Sequence, residues 1–208
     1  MLAEKTILAF TDELASNSPA PGGGSISALA GTLGAALTAM VCRLTIGNEK
    51  YNDVQNEVKE MLAKADELTQ KLTNYIDEDT AAFNKVMDAY RMPKETDEQK
   101  GARSQAIQKA MENAASLPLS VAECCLEIIE MAERVIIIGN TNAASDAAVS
   151  GLMAYAGLNG ALYNVRINLP SIKDKQFVEN ACAKVKQIKV QADAAYVVLT
   201  ATADKAIG

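Results

Sequence analysis

Hydrophobic residues recur at helical spacing along almost the whole chain, and no two stretches alternate as paired strands do. The longest pattern lies in residues 53–92, where apolar positions follow at steps of three and four, as in a heptad seam. Helices are predicted over residues 4–14, 25–46, 53–92, 96–116, 119–138, 147–169 and 173–202. We therefore expect an all-α fold, a bundle of about six long helices forming a single domain over residues 1–208.

Two local features bear on this helical interpretation. Pro118 lacks a backbone N–H, so we expect it to kink or restart the helix between residues 116 and 119. The apolar run over residues 135–138 is long enough for a short strand. Because no partner strand is found elsewhere, it is interpreted as the end of a helix.

Two of the predicted helices are rich in small residues. The helix over 25–46 carries no charge before Arg43, and one of its stripes contains Ala28, Gly31, Ala35 and Ala39. Small residues at this spacing allow a second helix to approach closely. A membrane span is the alternative, but the segment lacks an aromatic belt and is marginal in length. We expect buried central helices, a homodimer built by helix packing, and no membrane partner.

Composition narrows the chemistry. The net charge is −6 with no visible basic face, which argues against nucleic acid as a partner. The chain contains no His, so Ser-His-Asp triads, Cys-His dyads and His-ligated metals are excluded. None of the four cysteines forms a C-x-x-C pair, and no metal site is expected. No signal peptide is recognised at the N-terminus, which predicts a cytoplasmic protein.

The segment SPAPGGGS at residues 18–25 is the first candidate for ligand binding. Pro21 precedes three glycines, Gly22, Gly23 and Gly24, and Ser25 stands where a helix N-cap is expected. A glycine loop that leads into a helix N-terminus leaves backbone N–H donors open to an anionic or carbonyl-bearing ligand. A flexible linker is the alternative, but the helix that follows looks too buried to adjoin one.

Asp79 is the candidate catalytic residue. It falls on the apolar seam of the helix over 53–92, whereas Asp77 and Glu78 lie off that seam. A carboxyl group on an apolar stripe must find partners or take up a proton, and this can poise it for acid–base chemistry. The alternative is an Asp hydrogen-bonded to a neighbouring helix for structural reasons, and the pattern alone leaves both open.

Two further polar groups complete the list of candidates. A second loop, GNTNAASD at residues 139–146, offers Asn140, Asn142, Ser145 and Asp146, and either of the last two can cap the helix that follows. Near the end of that helix, Asn164, Arg166 and Asn168 supply directed donors and acceptors. Asn164 and Asn168 are four residues apart and share a helix face. Hydrogen bonding between packed helices is the structural alternative.

Taken together, these stretches resemble the formiminotetrahydrofolate cyclodeaminase / methenyltetrahydrofolate cyclohydrolase family. The resemblance covers nearly the whole chain, and the matching segments keep the family's order: SPAPGGGS at 18–25, LTIG at 44–47, DEDTAAF at 77–83, GNTNAASD at 139–146 and NVRINL at 164–169. Each segment is weak alone, but the combination is specific. The chain looks like the cyclodeaminase module, which the animal bifunctional enzyme carries behind a formiminotransferase.

The resemblance implies an all-helical homodimer that binds a folate substrate near the glycine loop, with Asp79 as the acid–base residue. It implies no cofactor beyond the tetrahydrofolate substrate, and it makes a separate formiminotransferase a candidate partner. Two reactions fit: conversion of 5-formiminotetrahydrofolate to 5,10-methenyltetrahydrofolate and ammonia, or hydrolysis of the methenyl compound to 10-formyltetrahydrofolate. Family naming favours the first. A non-catalytic helical binding module is the alternative of another class, but it leaves Asp79 and the two loops unexplained.

Overall fold

The computed structural model describes all 208 residues and contains six α-helices and no strand, which confirms the all-α prediction. The helices are α1 (Ile7–Leu14), α2 (Gly23–Thr45), α3 (Gln55–Arg91), α4 (Asp97–Ile138), α5 (Ala144–Asn168) and α6 (Lys175–Ile207). Short 3-10 turns join several of them. Residues 135–138 form the last turn of α4, so the helical interpretation of that run is correct.

α2 is the central helix and contacts α3, α4 and α5. It is the one helix long and apolar enough to cross a membrane, and 56% of its most apolar window is buried inside the protein. Glycines bring α2 and α5 together: a β-carbon at Gly157 would lie 2.7 Å from the carbonyl oxygen of Ser27, and one at Gly34 would lie 2.8 Å from that of Ser150. These contacts confirm the close helix packing expected from small residues.

The same contacts fix the relative direction of α2 and α5. Gly34 lies against Ser150, Ser27 lies against Gly157, and Gly23 lies near Asn164. Residue numbers in these contacts rise from 23 to 34 along α2 while their partners in α5 fall from 164 to 150. The two helices are therefore antiparallel. The start of α2 therefore lies beside the end of α5.

α3 carries the predicted seam, whose aliphatic side chains are buried in the core, whereas Tyr90 near its end is 46% exposed. One off-seam residue is less solvated than the sequence suggests. The carboxylate of Asp77 accepts hydrogen bonds from the backbone N–H groups of Leu2, at 2.6 Å, and Ala3, at 3.3 Å. Asp77 thereby attaches the N-terminal turn to α3, two residues before Asp79.

Pro118 does not divide α4, so the expectation that the helix restarts between residues 116 and 119 is wrong. The helix is continuous from Asp97 to Ile138, with Pro118 buried inside it. Proline cannot donate to the carbonyl four residues earlier. That carbonyl, of Ala114, instead accepts a hydrogen bond from Nδ2 of Asn168 on α5, at 3.0 Å.

Two helix starts also differ from the prediction. α2 begins at Gly23 with Gly22 as its N-cap, so Ser25 lies inside the first turn and does not cap it. α5 begins at Ala144 after the N-cap residue Ala143, so neither Ser145 nor Asp146 serves as a cap. Asn140 takes a comparable role one turn earlier, because its side chain accepts the N–H of Asn142.

Candidate functional site

A cavity of about 390 Å³ opens where the N-terminus of α2 meets α3, α4 and the end of α5. Its walls combine the glycine loop with an apolar, partly aromatic surface and three polar side chains. The lining residues are Pro19, Ala20, Gly22, Gly23, Gly24, Asp79, Ala82, Phe83, Val86, Tyr90, Met111, Ala114, Asn164, Ile167 and Asn168.

Asp79 is the only carboxyl group among these lining residues, and Tyr90 is the only other titratable one. No Lys or Arg forms an ion pair with Asp79. Its carboxyl group lies directly against the first turn of α2, where Oδ2 is 3.0 Å from the hydroxyl oxygen of Ser25. The structure thus places the candidate acid–base residue in a cavity, next to the expected loop.

Burial raises the pKa of the Asp79 carboxyl above its ordinary value of 3.8, and hydrogen bonding from Ser25 opposes the rise only in part. The cause is desolvation, which disfavours the charged form when no opposite charge is near. A carboxyl group with a raised pKa holds its proton more readily and can donate it. A cationic ligand in the cavity would favour the ionised form instead.

The three glycines of the loop differ in how closely they are packed. A β-carbon at Gly24 would collide with the carboxyl group of Asp79, whereas one at Gly23 would lie 3.3 Å from Nδ2 of Asn164. At Gly22 the nearest atom would be the carbonyl oxygen of Pro19, 3.8 Å away. None of the three has a positive φ, so no left-handed turn requires a glycine here. Lack of space requires one at Gly24 and to a lesser extent at Gly23, but not at Gly22.

The start of α2 also offers backbone donors to the cavity. The first N–H groups of an α-helix have no partner within the helix, and the N-cap Gly22 has no side chain to accept from them. Gly22, Gly23 and Gly24 all line the cavity. A carbonyl or anionic group of a ligand can therefore accept hydrogen bonds there, next to Asp79.

Asn164 and Asn168 face the cavity from α5, as their spacing predicted. Each uses its Nδ2 group within the protein: Asn164 donates to the carbonyl of Gly160 at 2.8 Å, and Asn168 donates to those of Ala114 and Asn164. The side-chain carbonyl oxygens accept no hydrogen bond from the protein. They remain as acceptors for a ligand, so these residues join helices and also present polar atoms to the cavity.

Three other predicted ligand residues do not line the cavity. Pro21 is buried behind the loop, while Pro19 and Ala20 face the cavity. Ser25 is fully buried and hydrogen-bonded to α3. Arg166 is exposed on the outer side of α5, 6.0 Å from the ring centre of Tyr163, and borders a shallow depression beside the cavity.

The second loop lies at the opposite end of α2 from the glycine loop. The backbone N–H of Asn140 donates to the hydroxyl of Thr45 at 2.8 Å, and its side chain donates to the carbonyl of Leu44 at 3.1 Å. At 1.5 Å per residue, α2 separates this loop from Gly23 by roughly 30 Å. Because α2 and α5 are antiparallel, the loop that precedes α5 lies at the far end of α2 from the cavity of its own chain. This applies to all four candidates of the loop: Asn140, Asn142, Ser145 and Asp146.

Several lining residues were not singled out as site residues in the sequence. Phe83, Val86 and Tyr90 follow Asp79 on the same apolar seam. They lie four, seven and eleven residues beyond Asp79, which places them on the same helix face as Asp79. This spacing could have predicted that they line the same cavity. Met111 and Ala114 on α4 gave no comparable signal. Nowhere in the chain do three Cys, Asp or Glu side chains converge as metal ligands would.

Comparison with known proteins gives this arrangement a family. The family model described as Formiminotransferase-cyclodeaminase matches residues 6–187. A methenyltetrahydrofolate cyclohydrolase from Methylorubrum extorquens is 44% identical over 194 residues, which cover 93% of each chain. The formimidoyltransferase-cyclodeaminase of Rattus norvegicus is 30% identical over 92% of this chain, which spans 35% of that longer protein.

A solved structure supports the same relationship. The crystal structure of formiminotetrahydrofolate cyclodeaminase from Thermotoga maritima superimposes with a TM-score of 0.89 at 26% sequence identity, covering all of both chains. Sequence and fold agree along the full length, and the relatives are named as enzymes of folate one-carbon chemistry. The chain therefore belongs to the formiminotransferase-cyclodeaminase family and is an enzyme of the cyclodeaminase/cyclohydrolase kind, as the motifs in its sequence predicted.

Proposed function

We propose that this enzyme is a methenyltetrahydrofolate cyclohydrolase, which converts 5,10-methenyltetrahydrofolate and water to 10-formyltetrahydrofolate. The observation that carries the choice is the 44% identity to a cyclohydrolase that matches over 93% of its own length. Family naming alone favoured the cyclodeaminase reaction. Relatives with that name share 30–37% identity and are about three times as long, so they support it less strongly.

The cavity suits a folate with a cationic one-carbon bridge. Phe83 and Tyr90 offer aromatic surface to flat rings, and Asn164 and Asn168 offer carbonyl oxygens to ring N–H groups. Asp79 supplies the only carboxyl group in the cavity, and its negative charge would stabilise the methenyl cation. The N–H groups of Gly23 and Gly24 are available to an oxygen that gains charge beside that carboxyl group.

Asp79 has a defined task in the proposed reaction. Its carboxylate accepts a proton as water attacks the methenyl carbon, and a neutral tetrahedral adduct forms. Asp79 then gives the proton to N5 as the bond between that carbon and N5 breaks. The hydroxyl oxygen of the adduct becomes the formyl oxygen on N10, and its proton leaves to solvent. One group with an adjustable pKa is therefore sufficient for both proton transfers.

The cyclodeaminase reaction is the second candidate, favoured by the structural match to the Thermotoga enzyme. In that reaction N10 attacks the formimino carbon, and Asp79 protonates the amino group that leaves as ammonia. The two tetrahedral adducts differ only in NH₂ versus OH. The same cavity and the same acid–base group therefore fit both.

Purified enzyme and the two substrates separate these candidates. Loss of methenyltetrahydrofolate absorbance, corrected for hydrolysis without protein, measures the first reaction. Gain of the same absorbance from 5-formiminotetrahydrofolate measures the second. We expect kcat/KM to be higher for methenyl hydrolysis, and Asp79→Asn serves as the inactive control. A higher value for the formimino substrate would assign the enzyme as a cyclodeaminase, and no turnover of either would reject both.

We further propose that the enzyme is a cytoplasmic homodimer without a cofactor. Apolar side chains are exposed on two neighbouring helices, among them Leu33 on α2 and Val149, Leu152 and Tyr163 on α5. The three residues of α5 lie on one helix face. An exposed apolar surface of this kind is typical of a subunit interface. A separate formiminotransferase would be a partner only if the cyclodeaminase reaction is the physiological one.

A further inference from the structure

Ser25 has a role that differs from ligand binding. Its side chain is fully buried in the first turn of α2 and points towards α3, away from the cavity that Gly24 lines. The hydroxyl oxygen lies 2.9 Å from the carbonyl oxygen of Ile76 and 3.0 Å from Oδ2 of Asp79. Ser25 thus contacts the candidate acid–base residue from the side opposite a bound ligand.

The hydroxyl group of Ser25 has one proton and can donate it to either of two acceptors, the carbonyl of Ile76 or the carboxyl group of Asp79. The carbonyl of Ile76 can only accept, so a proton directed at it leaves Oγ free to accept from a protonated Asp79. When Asp79 is ionised, the same hydroxyl can turn and donate to Oδ2. The hydroxyl of Thr80 is farther from Oγ, at 3.4 Å, and can also accept or donate.

We propose that Ser25 is a positioning residue whose hydroxyl turns between the carbonyl of Ile76 and the carboxyl group of Asp79, so that Asp79 stays hydrogen-bonded with and without its proton. When Asp79 carries a proton at Oδ2, it donates to Ser25. When it loses the proton, Ser25 donates to it. Oδ2 is held in both states, which leaves Oδ1, the oxygen beside Gly24, to face the substrate.

The surroundings of Asp79 make Ser25 the main group that can respond to its charge. The other helices contribute no titratable side chain to the cavity. Their lining residues include Gly24 of α2, Met111 and Ala114 of α4, and Asn164 and Asn168 of α5. Tyr90, farther along α3, is the only other titratable residue that lines the cavity. No cation is paired with Asp79, and both groups that donate hydrogen bonds to its carboxylate belong to Ser25: the hydroxyl, 3.0 Å from Oδ2, and the backbone N–H. Of these two, only the hydroxyl can turn.

The direction of the effect follows from hydrogen-bond strength. A hydrogen bond to a carboxylate is roughly twice as strong as one between neutral groups. Removing the hydroxyl therefore destabilises the ionised form of Asp79 more than the protonated form. The pKa of Asp79 should rise further in Ser25→Ala, which agrees with the opposing effect of Ser25 on the shift caused by burial.

Two variants separate hydrogen bonding from packing. Ser25→Ala removes the hydroxyl, whereas Ser25→Cys fills the same space with a weak donor. The matched control is Ser27→Ala, since Ser27 is also buried in α2 but donates to the carbonyl of Gly23 at 2.7 Å and does not touch Asp79. Melting curves establish that each variant is folded.

The first measurement is the pKa of Asp79 in the ligand-free protein, by carbon-13 NMR of its carboxyl group, assigned by comparison with Asp79→Asn. We expect the pKa to rise in Ser25→Ala and Ser25→Cys and to stay at the parent value in Ser27→Ala. An unchanged pKa in both Ser25 variants would overturn the proposal, as would a shift in Ser25→Ala that Ser25→Cys fully restores, since packing would then explain it.

The second measurement is the pH dependence of kcat/KM for methenyltetrahydrofolate hydrolysis. This part rests on the proposed function, in which ionised Asp79 is the base. The acidic limb of the profile should move to higher pH in both Ser25 variants, with a rate about tenfold lower on that limb. An acidic limb that stays in place would overturn the proposal, whereas an inactive parent enzyme would reject the proposed function and leave the NMR result to decide on Ser25.

Discussion

Asn168 of α5 compensates for the N–H group that Pro118 lacks in α4. Its Nδ2 donates at 3.0 Å to the carbonyl of Ala114, the group that residue 118 would reach in an uninterrupted helix. Asn168 also lines the cavity. A helix-breaking residue in one helix thus fixes the orientation of a polar side chain that lines the cavity from another helix.

This relationship predicts the outcome of a double substitution. Asn168→Ala leaves the carbonyl of Ala114 without its donor, which should cost about 1–2 kcal/mol of stability, and it removes a polar atom from the cavity. Pro118→Ala restores the N–H group to α4. The double variant should therefore regain stability but not activity, by denaturant unfolding and substrate turnover. If Pro118→Ala stabilises the parent as much as it stabilises Asn168→Ala, the two residues are not coupled.

The three glycines of the loop should respond differently to alanine. Gly24→Ala introduces a β-carbon within 2.5 Å of the Asp79 carboxyl carbon and must displace that group. We expect turnover to fall about 10²-fold or more, since misplacement of a reacting group by about 1 Å is sufficient for that. Gly23→Ala should have a smaller effect through Asn164, and Gly22→Ala the smallest. Equal losses at all three positions would indicate that the loop acts through its flexibility.

Much of this site was accessible from the sequence, because it depends on local pattern. Asp79 was found by its position on an apolar seam, and Asn164 and Asn168 by their spacing of four. The position of the second loop relative to the cavity could not be predicted from the sequence. Loops rich in Gly and Asn look alike whether they bind a ligand or connect helices, and here Asn140 hydrogen-bonds to Leu44 and Asn142 of its own chain.

Tertiary contacts decided the remaining features. No local rule shows that Asn168 would donate a hydrogen bond to the carbonyl of Ala114, so a restart of the helix at Pro118 was as plausible as a kink. No local rule shows that the first turn of α2 would pack against Asp79, which buries Ser25. Both contacts join residues more than 50 positions apart in sequence.

Asp79→Asn is the direct test of the acid–base assignment. The amide keeps the size of the side chain but neither gives nor takes a proton at neutral pH. Loss of a general acid–base group typically lowers the rate about 10²–10⁴-fold. Glu78→Gln is the matched control, because Glu78 is exposed and does not line the cavity. If Asp79→Asn retains turnover within a few-fold of the parent, Tyr90 becomes the next candidate, since Glu78 and Asp146 lie outside the cavity.

The same variant should change how stability depends on pH. The pKa of Asp79 is raised in the folded protein, so the folded state binds its proton more tightly than the unfolded state does. Its contribution to stability is fully present below the unfolded value of 3.8 and is lost as the pH rises through the raised folded pKa. The amide of Asp79→Asn does not titrate, so the variant does not show this loss of stability with rising pH. The Tm of the variant relative to the parent should therefore increase with pH from about 4 to about 8, and a constant difference would contradict the raised pKa.

The proposed homodimer makes a prediction about the exposed apolar face of α5. Leu152 of α5 is 44% exposed, and Val198 on α6 is comparably exposed at 53%. If a second copy covers the α2/α5 face, Leu152→Lys places a charge in an apolar contact and should convert the dimer to a monomer. Val198→Lys introduces the same charge on α6 and should leave the dimer intact.

Light scattering at micromolar concentration, with circular dichroism as the check on folding, distinguishes the two surfaces. Dissociation by Val198→Lys alone would assign the interface to α6, and a monomeric parent would reject the dimer altogether.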